Sequence, residues 1–138
     1  MKIKEPKYKY GIVMLLDDNE LDNFINAKMI EATCFSEKVF VNTNGQSALE
    51  FLKNLSVAIS ESCPIYPELI FIDLNMPMMD GFQFIRKLIE NSKGKTDIPK
   101  LVILTSSVCD EDKIRAQEIS PNIIFLHKPL TESMLSAL

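Results

Sequence analysis

The sequence predicts an α/β domain, a doubly wound parallel sheet with helices on both faces. Three observations lead there. Four short apolar runs, at residues 12–16, 69–72, 101–104 and 123–126, have the length of strands and none alternates, as in strands buried on both faces. Between them, apolar residues recur at helical spacing. The two kinds of segment then alternate to the end of the chain, with no internal repeat, low-complexity tract or linker. A chain of 138 residues has the size of a single domain.

Taken in order, residues 1–9 carry four lysines and no apolar pattern, and read as a flexible tail before a domain at 10–138. The first run, 12–16, ends in Asp17-Asp18. In the helix that follows Asn19-Glu20, Leu21, Phe24, Ile25 and Met29 share one face. The mixed run Lys38-Val-Phe-Val-Asn42 suits a sheet edge. Ala48, Phe51, Leu52, Leu55 and Ile59 form the apolar stripe of a second helix, with Thr43 and Gln46 at capping-box spacing before it. Asp80 and Gln83 repeat that spacing for a third helix. There Phe82, Phe84, Ile85, Leu88 and Ile89 face inward, and Gln83, Arg86, Lys87 and Glu90 face solvent. The fourth helix, 110–119, is short and polar and ends before Pro121. Residues 131–138 allow a last helix of about two turns.

Composition narrows the function. With 46% hydrophobic and 25% charged residues the chain is an ordinary globular protein. Fifteen basic against nineteen acidic side chains give a net charge of −4, which argues against direct nucleic-acid binding and against a membrane-surface role. No apolar run reaches the ~18 residues of a membrane span, and the N-terminus lacks the apolar stretch of a secretory signal. Cys34, Cys63 and Cys109 form no C-x-x-C pair, and the single histidine, His127, makes no zinc spacing with them. Free thiols of this kind fit a reducing, cytoplasmic setting.

The polar residues at the strand ends are the most informative feature. The four buried runs stop at Asp17-Asp18, at Asp73, at Thr105-Ser106-Ser107 and at Lys128. Alone, an Asp after a strand is a cap or a turn residue, and a Lys-Pro is a turn. In open parallel sheets, however, the ligand crevice lies beyond the carboxyl ends of the strands, so these four ends should converge. Three carboxylates within ~4–6 Å repel one another unless a cation lies among them, and their hard oxygens suit Mg²⁺. A threonine hydroxyl and a lysine ammonium opposite them would grip the oxygens of a phosphoryl group, with Asp73 as the central nucleophile. A hydrolase using Ser106 or Ser107 lacks a usable histidine and a G-x-S-x-G turn. His127 reads as a surface or capping residue, and Met76, Met78 and Met79 as loop and core packing.

The motif Asp73-Leu-Asn-Met-Pro-Met-Met-Asp-Gly81 resembles the phosphoacceptor motif of response-regulator receiver domains, the family of the bacterial chemotaxis response regulator. Leu15-Leu-Asp-Asp18 is similar to that family's acidic pair, Leu104-Thr-Ser106 to its strand-end hydroxyl and Lys128-Pro129 to its lysine-proline. Asn44-Gly45 and Ala48-Leu49 fall where the family has a similar pattern. The match runs over residues 10–138.

The resemblance implies the flavodoxin-like receiver fold, five parallel strands in the order 2-1-3-4-5. It implies a phosphorylation-activated signalling receiver of a two-component system or phosphorelay, a phosphoprotein rather than a turnover enzyme. Asp73 would accept the phosphoryl group from a sensor histidine kinase or phosphotransfer protein. Asp17, Asp18, Asp73 and the backbone carbonyl of Asn75 would hold Mg²⁺, with Asp17 acting mainly through a metal-bound water. Thr105 and Lys128 would contact the phosphoryl group. Thr105 and Phe125 would form the switch that remodels a partner-binding face for a downstream protein, and a cis peptide would precede Pro129. Asn75 and Ser107 would tune the phosphoryl lifetime. Monomer and phosphorylation-dependent dimer are both compatible with the family.

The main alternative is a phosphorylation-independent pseudo-receiver. Degenerate receivers usually lack a member of the acidic pair, the central Asp or the Lys, and all are present here. A phosphohydrolase of the haloacid-dehalogenase-like group would want a second Asp two residues after the first, where this chain has Asn75. A flavodoxin would want a phosphate-cradling loop after the first strand, where Asp17-Asp18 would repel phosphate.

Overall fold

The structure is a computed structural model in which residues 7–58, 65–92, 98–106 and 109–138 are described. They form a five-stranded, wholly parallel sheet of β1 (Tyr10–Leu16), β2 (Ser36–Asn42), β3 (Leu69–Ile72), β4 (Lys100–Thr105) and β5 (Ile124–His127), in the order β2-β1-β3-β4-β5. Strands alternate with α1 (Glu20–Ala32), α2 (Gly45–Ala58), α3 (Gly81–Asn91), α4 (Asp110–Ile119) and α5 (Glu132–Ala137). The doubly wound fold and the strand order are those the sequence implied.

The inner strands β1, β3 and β4 read as apolar runs because successive residues enter two different cores, whereas the edge strand β5, taken from its run as buried, is only partly so. Met14, Leu16, Ile70, Ile72, Leu101 and Ile103 pack with α2, α3 and Ala116 of α4. Val13, Leu15, Leu69, Phe71, Val102 and Leu104 pack on the opposite face with Ile30, Leu130 and Leu135. Period-two side chains with both faces covered leave no polar position inside a strand. Helix α3 follows its predicted stripe: Phe82, Phe84, Ile85 and Leu88 are buried, while Gln83, Arg86, Lys87 and Glu90 are exposed.

Helix α1 departs from its predicted face. Leu21 and Phe24 are 65% and 61% exposed and Ile25 is exposed too, whereas Asn23, Asn26 and Ile30 are buried. The two asparagines are inside because they satisfy backbone groups. The Asn23 side-chain amide donates to the Asp17 carbonyl at 2.8 Å, and Asn26 Oδ1 accepts from the Leu130 N–H at 3.3 Å. Each bond to the backbone offsets part of the cost of burying a polar amide, although the buried Asn23 Oδ1 finds no hydrogen-bond partner among the described residues. Of the predicted face, Met29 alone reaches the core, and Lys28 lies over the exposed Phe24 ring.

The start of α2 is also corrected. Asn44, not Thr43, caps it, its Oδ1 accepting from the Ser47 N–H at 3.0 Å. The Asp80–Gln83 capping box at α3 is formed as predicted, with bonds of 2.8 and 3.0 Å. Asp80→Ala is therefore expected to cost about 1 kcal/mol of stability, read by urea denaturation.

Residues 1–6 of the predicted tail, Ile59 of the second helical stripe, Cys63 and Ser107 lie outside the described residues. Lys9 donates to the Ser136 carbonyl at 3.2 Å. The Leu138 carbonyl accepts from the Tyr10 hydroxyl at 2.8 Å and from Lys100 Nζ at 3.0 Å, which ties α5 to the sheet. Cys34 and Cys109 are free thiols. Among the described residues, no helix is long and apolar enough to cross a membrane.

Candidate functional site

The register of the sheet brings the predicted residues together. Leu16 is level with Ile72 and Ile72 with Ile103, so Asp17 and Asp73 leave neighbouring strands side by side. The ladder runs on past the strands: the Asp73 N–H donates to the Leu16 carbonyl at 2.9 Å and the Lys128 N–H to the Thr105 carbonyl at 2.8 Å. These backbone bonds fix the roots of Asp73 and Lys128 rigidly.

One carboxylate oxygen from each of Asp17, Asp18 and Asp73 can be chosen so that all lie within 4.8 Å of one another. Asp17 and Asp73 are buried and Asp18 is exposed. Asp17 is oriented by α1, its Oδ1 accepting from the Asn19 N–H at 2.9 Å. Lys128 Nζ closes the other side, at 2.5 Å from Asp17 Oδ2, 2.9 Å from Asp22 Oδ2 and 3.6 Å from Asp73 Oδ1. Thr105 is fully buried at the end of β4. Asn75 is exposed two residues past Asp73, and its N–H hydrogen-bonds the Asp73 carboxylate. Phe125, level with Ile103 in the sheet, is partly buried against the α2–α3 core, which gives it a packing role in this state. The Lys128–Pro129 peptide is cis.

The electrostatics follow from this crowding. Burial, and then the charge of Asp17, push the Asp73 carboxyl up to about 6; Lys128 and the Asn75 N–H pull it down, and Asp18 adds a smaller push upward. For Lys128, burial works to lower the pKa. Hydrogen bonds to Asp17 and Asp22 and the charges of Asp73 and Asp17 outweigh burial, and the ammonium is held above its ordinary value. A buried carboxylate that resists ionisation beside two others, one of them open to solvent, fits a small hard cation bound through oxygen.

Sequence reasoning missed Asp22. It stands in the first turn of α1, three residues after the cap Asn19, where an acidic residue is commonplace for the helix dipole alone. Only the rotation of α1 about its axis, fixed by Asn23 and Asn26, turns it onto Lys128. Nothing in a single sequence signals that rotation.

The comparisons agree with this geometry. The family described as the response regulator receiver domain matches residues 13–138. A stretch of the hybrid signal transduction histidine kinase L of Dictyostelium discoideum is 31% identical over 130 residues, covering 92% of this chain and 7% of that protein. Response regulator Rcp1 of Synechocystis is 27% identical over 111 residues, covering 80% of this chain and 72% of Rcp1. Among solved structures, a two component response regulator from Cytophaga hutchinsonii superposes with a TM-score of 0.80 at 27% identity over 92% of each chain. With the acidic cluster, the strand-end lysine and the strand order already in place, the chain belongs to the response regulator receiver domain family.

Proposed function

We propose that this chain is a phosphorylation-activated receiver in two-component or phosphorelay signalling, with Asp73 as the phosphoacceptor. The observation that carries this reading is the position of the Asp73 carboxylate. It is buried at the end of the central strand, clustered with the Asp17 and Asp18 carboxylates and 3.6 Å from the Lys128 ammonium. An Asp73 oxygen attacks the phosphorus of a phosphohistidine on a kinase or phosphotransfer protein. The new O–P bond forms as the P–N bond breaks, and the imidazole leaves with the electron pair. Asp17, Asp18, Asp73 and the Asn75 carbonyl would hold Mg²⁺, whose chemistry is to offset charge on the transferring oxygens. Lys128 turns toward the phosphoryl group to pair with it, and the Thr105 hydroxyl hydrogen-bonds it. Thr105 and Phe125, on adjacent strands, pass the change to the face around α4, β5 and α5, where a downstream protein binds. The protein is itself the substrate of this chemistry and is not a turnover enzyme. The similarity to part of a hybrid histidine kinase supports a kinase or phosphotransfer partner, and free thiols support a cytoplasmic setting.

Acetyl phosphate with and without Mg²⁺, read by intact mass, tests the reading. The native chain is expected to gain one phosphoryl group only when Mg²⁺ is present, and Asp73→Asn to gain none. A native chain that stays unmodified, beside a receiver that is modified, overturns it in favour of a phosphorylation-independent interaction module.

A further inference from the structure

Lys128 has a partner that phosphoryl acceptance does not require. Its ammonium carries three donors, and two of them are engaged by Asp17 Oδ2 and Asp22 Oδ2, at 2.5 and 2.9 Å, with Asp73 Oδ1 farther off at 3.6 Å. Asp17 belongs to the carboxylate cluster, but Asp22 does not. It reaches in from the first turn of α1, and its side chain is 35% exposed while that of Lys128 is 10% exposed. A group with that much solvent gains little by pairing, but the buried ammonium is drawn strongly to any anion that reaches it.

We propose that Asp22 is a positioning residue that competes with the phosphoryl group for Lys128, and so sets how tightly the acceptor site grips that group. The inference rests on the phosphoacceptor reading of Asp73. A phosphoryl group on Asp73 lies on the Asp73 side of the ammonium, now 3.6 Å away, and closing on it draws Lys128 away from Asp22, the partner on α1. The tether therefore opposes the phosphorylated state and favours the resting one. Its strength is that of one partly exposed charged hydrogen bond, enough to bias the two states without locking either.

Asp22→Asn tests this, because it keeps the shape and an acceptor oxygen while removing the charge. Freed of the competitor, Lys128 pairs more readily with a phosphoryl oxygen. The same change removes a negative charge from the rim, so Mg²⁺ gains nothing from it. Mg²⁺ alone, and then beryllofluoride at saturating Mg²⁺, are titrated into the folded native chain, Asp22→Asn and Asp22→Glu, and followed by backbone amide NMR. For Asp22→Asn, beryllofluoride is expected to bind about threefold tighter and Mg²⁺ equally or up to about twofold weaker. Asp22→Glu, which retains the charge, is expected to stay near native. In a Lys128→Met background the gain from Asp22→Asn disappears. Weaker binding of both ligands by Asp22→Asn overturns the proposal, since Asp22 would then be preorganising Lys128 for the phosphoryl group. Unchanged beryllofluoride affinity overturns it as well. Failure of the native chain to bind beryllofluoride at saturating Mg²⁺ overturns the phosphoacceptor reading and this inference with it, whereas native binding without a gain in the variant overturns this inference alone.

Discussion

Asp73→Asn is expected to be more stable than the native chain by about 2–3 kcal/mol at pH 7.5 without divalent metal, although it removes the acceptor. In the folded chain burial and the Asp17 charge push the Asp73 carboxyl up to about 6 from its ordinary 3.8. Between those values the folded state holds a proton that the unfolded chain has already lost. Native stability therefore rises as pH falls from about 6 toward 4, and above 6 the full cost of a buried, repelled carboxylate is present. One pKa unit corresponds to about 1.4 kcal/mol, and the upward shift sets the size of the effect. Asparagine is neutral at every pH, so its advantage should be largest above pH 6 and vanish near pH 4. Lys128 keeps Asp17 and Asp22 as partners in the variant, so no buried cation is stranded. Mg²⁺ should then stabilise the native chain, by mass action at a site whose repulsion it relieves, and the variant far less. Urea melts at pH 4.0 and 7.5 decide the matter. A variant less stable at pH 7.5, or an advantage independent of pH, would refute the account of Asp73 as a carboxylate under strain.

That strain is the part of the site most legible in the sequence. Asp17, Asp18, Asp73, Thr105 and Lys128 each follow or end an apolar run, and a parallel sheet leaves such residues nowhere to go but its carboxyl edge. The inner strands β1, β3 and β4 were legible because burial on both faces strips them of polar residues, and α3 because one side of it faces water; the edge strands β2 and β5 are only partly buried. Helix α1 was not. Counting asparagine as polar puts Leu21, Phe24 and Ile25 inside, whereas Asn23 and Asn26 take the interior by bonding the backbone at Asp17 and Leu130. The same rotation of α1 aims Asp22 at Lys128, so the misjudged face and the missed residue have one cause. Thr43 failed as the cap for a smaller reason. Two adjacent residues can both accept from an N–H, and the helix begins one residue later than the threonine spacing requires, at Gly45 with Asn44 as its cap.

The Asp-Gly step at 80–81 was visible as a motif, but its necessity is geometric, and Gly81→Ala is expected to be the most damaging single-methyl change near the site. A Cβ at Gly81 would lie 2.6 Å from the Asp73 carbonyl oxygen and 2.9 Å from Leu74 Cα, both backbone atoms of the segment that leaves β3. Neither can swing aside as a side chain does. Gly81 also donates its N–H to the Leu74 carbonyl at 3.1 Å, so α3 starts directly on the acceptor segment. Relief requires α3 to lift, disturbing the Asp80–Gln83 cap, or the Asp73–Leu74 peptide to shift, displacing the acceptor. Overpacking of this kind costs about 3 kcal/mol, a fall in Tm on the order of 10 °C for a domain of this size. Misplacing a reacting carboxylate by about 1 Å slows chemistry by as much as ~100-fold, so phosphorylation by acetyl phosphate should slow by at least about tenfold. Gly45→Ala is the control. Its Cβ would meet Met79 Sδ at 2.9 Å, the far part of a flexible side chain, and a helix gains from alanine over glycine. That variant should melt within about 3 °C of native and accept phosphate normally. Equal damage from the two alanines, or a harmless Gly81→Ala, would show that α3 does not set the position of Asp73 through this contact.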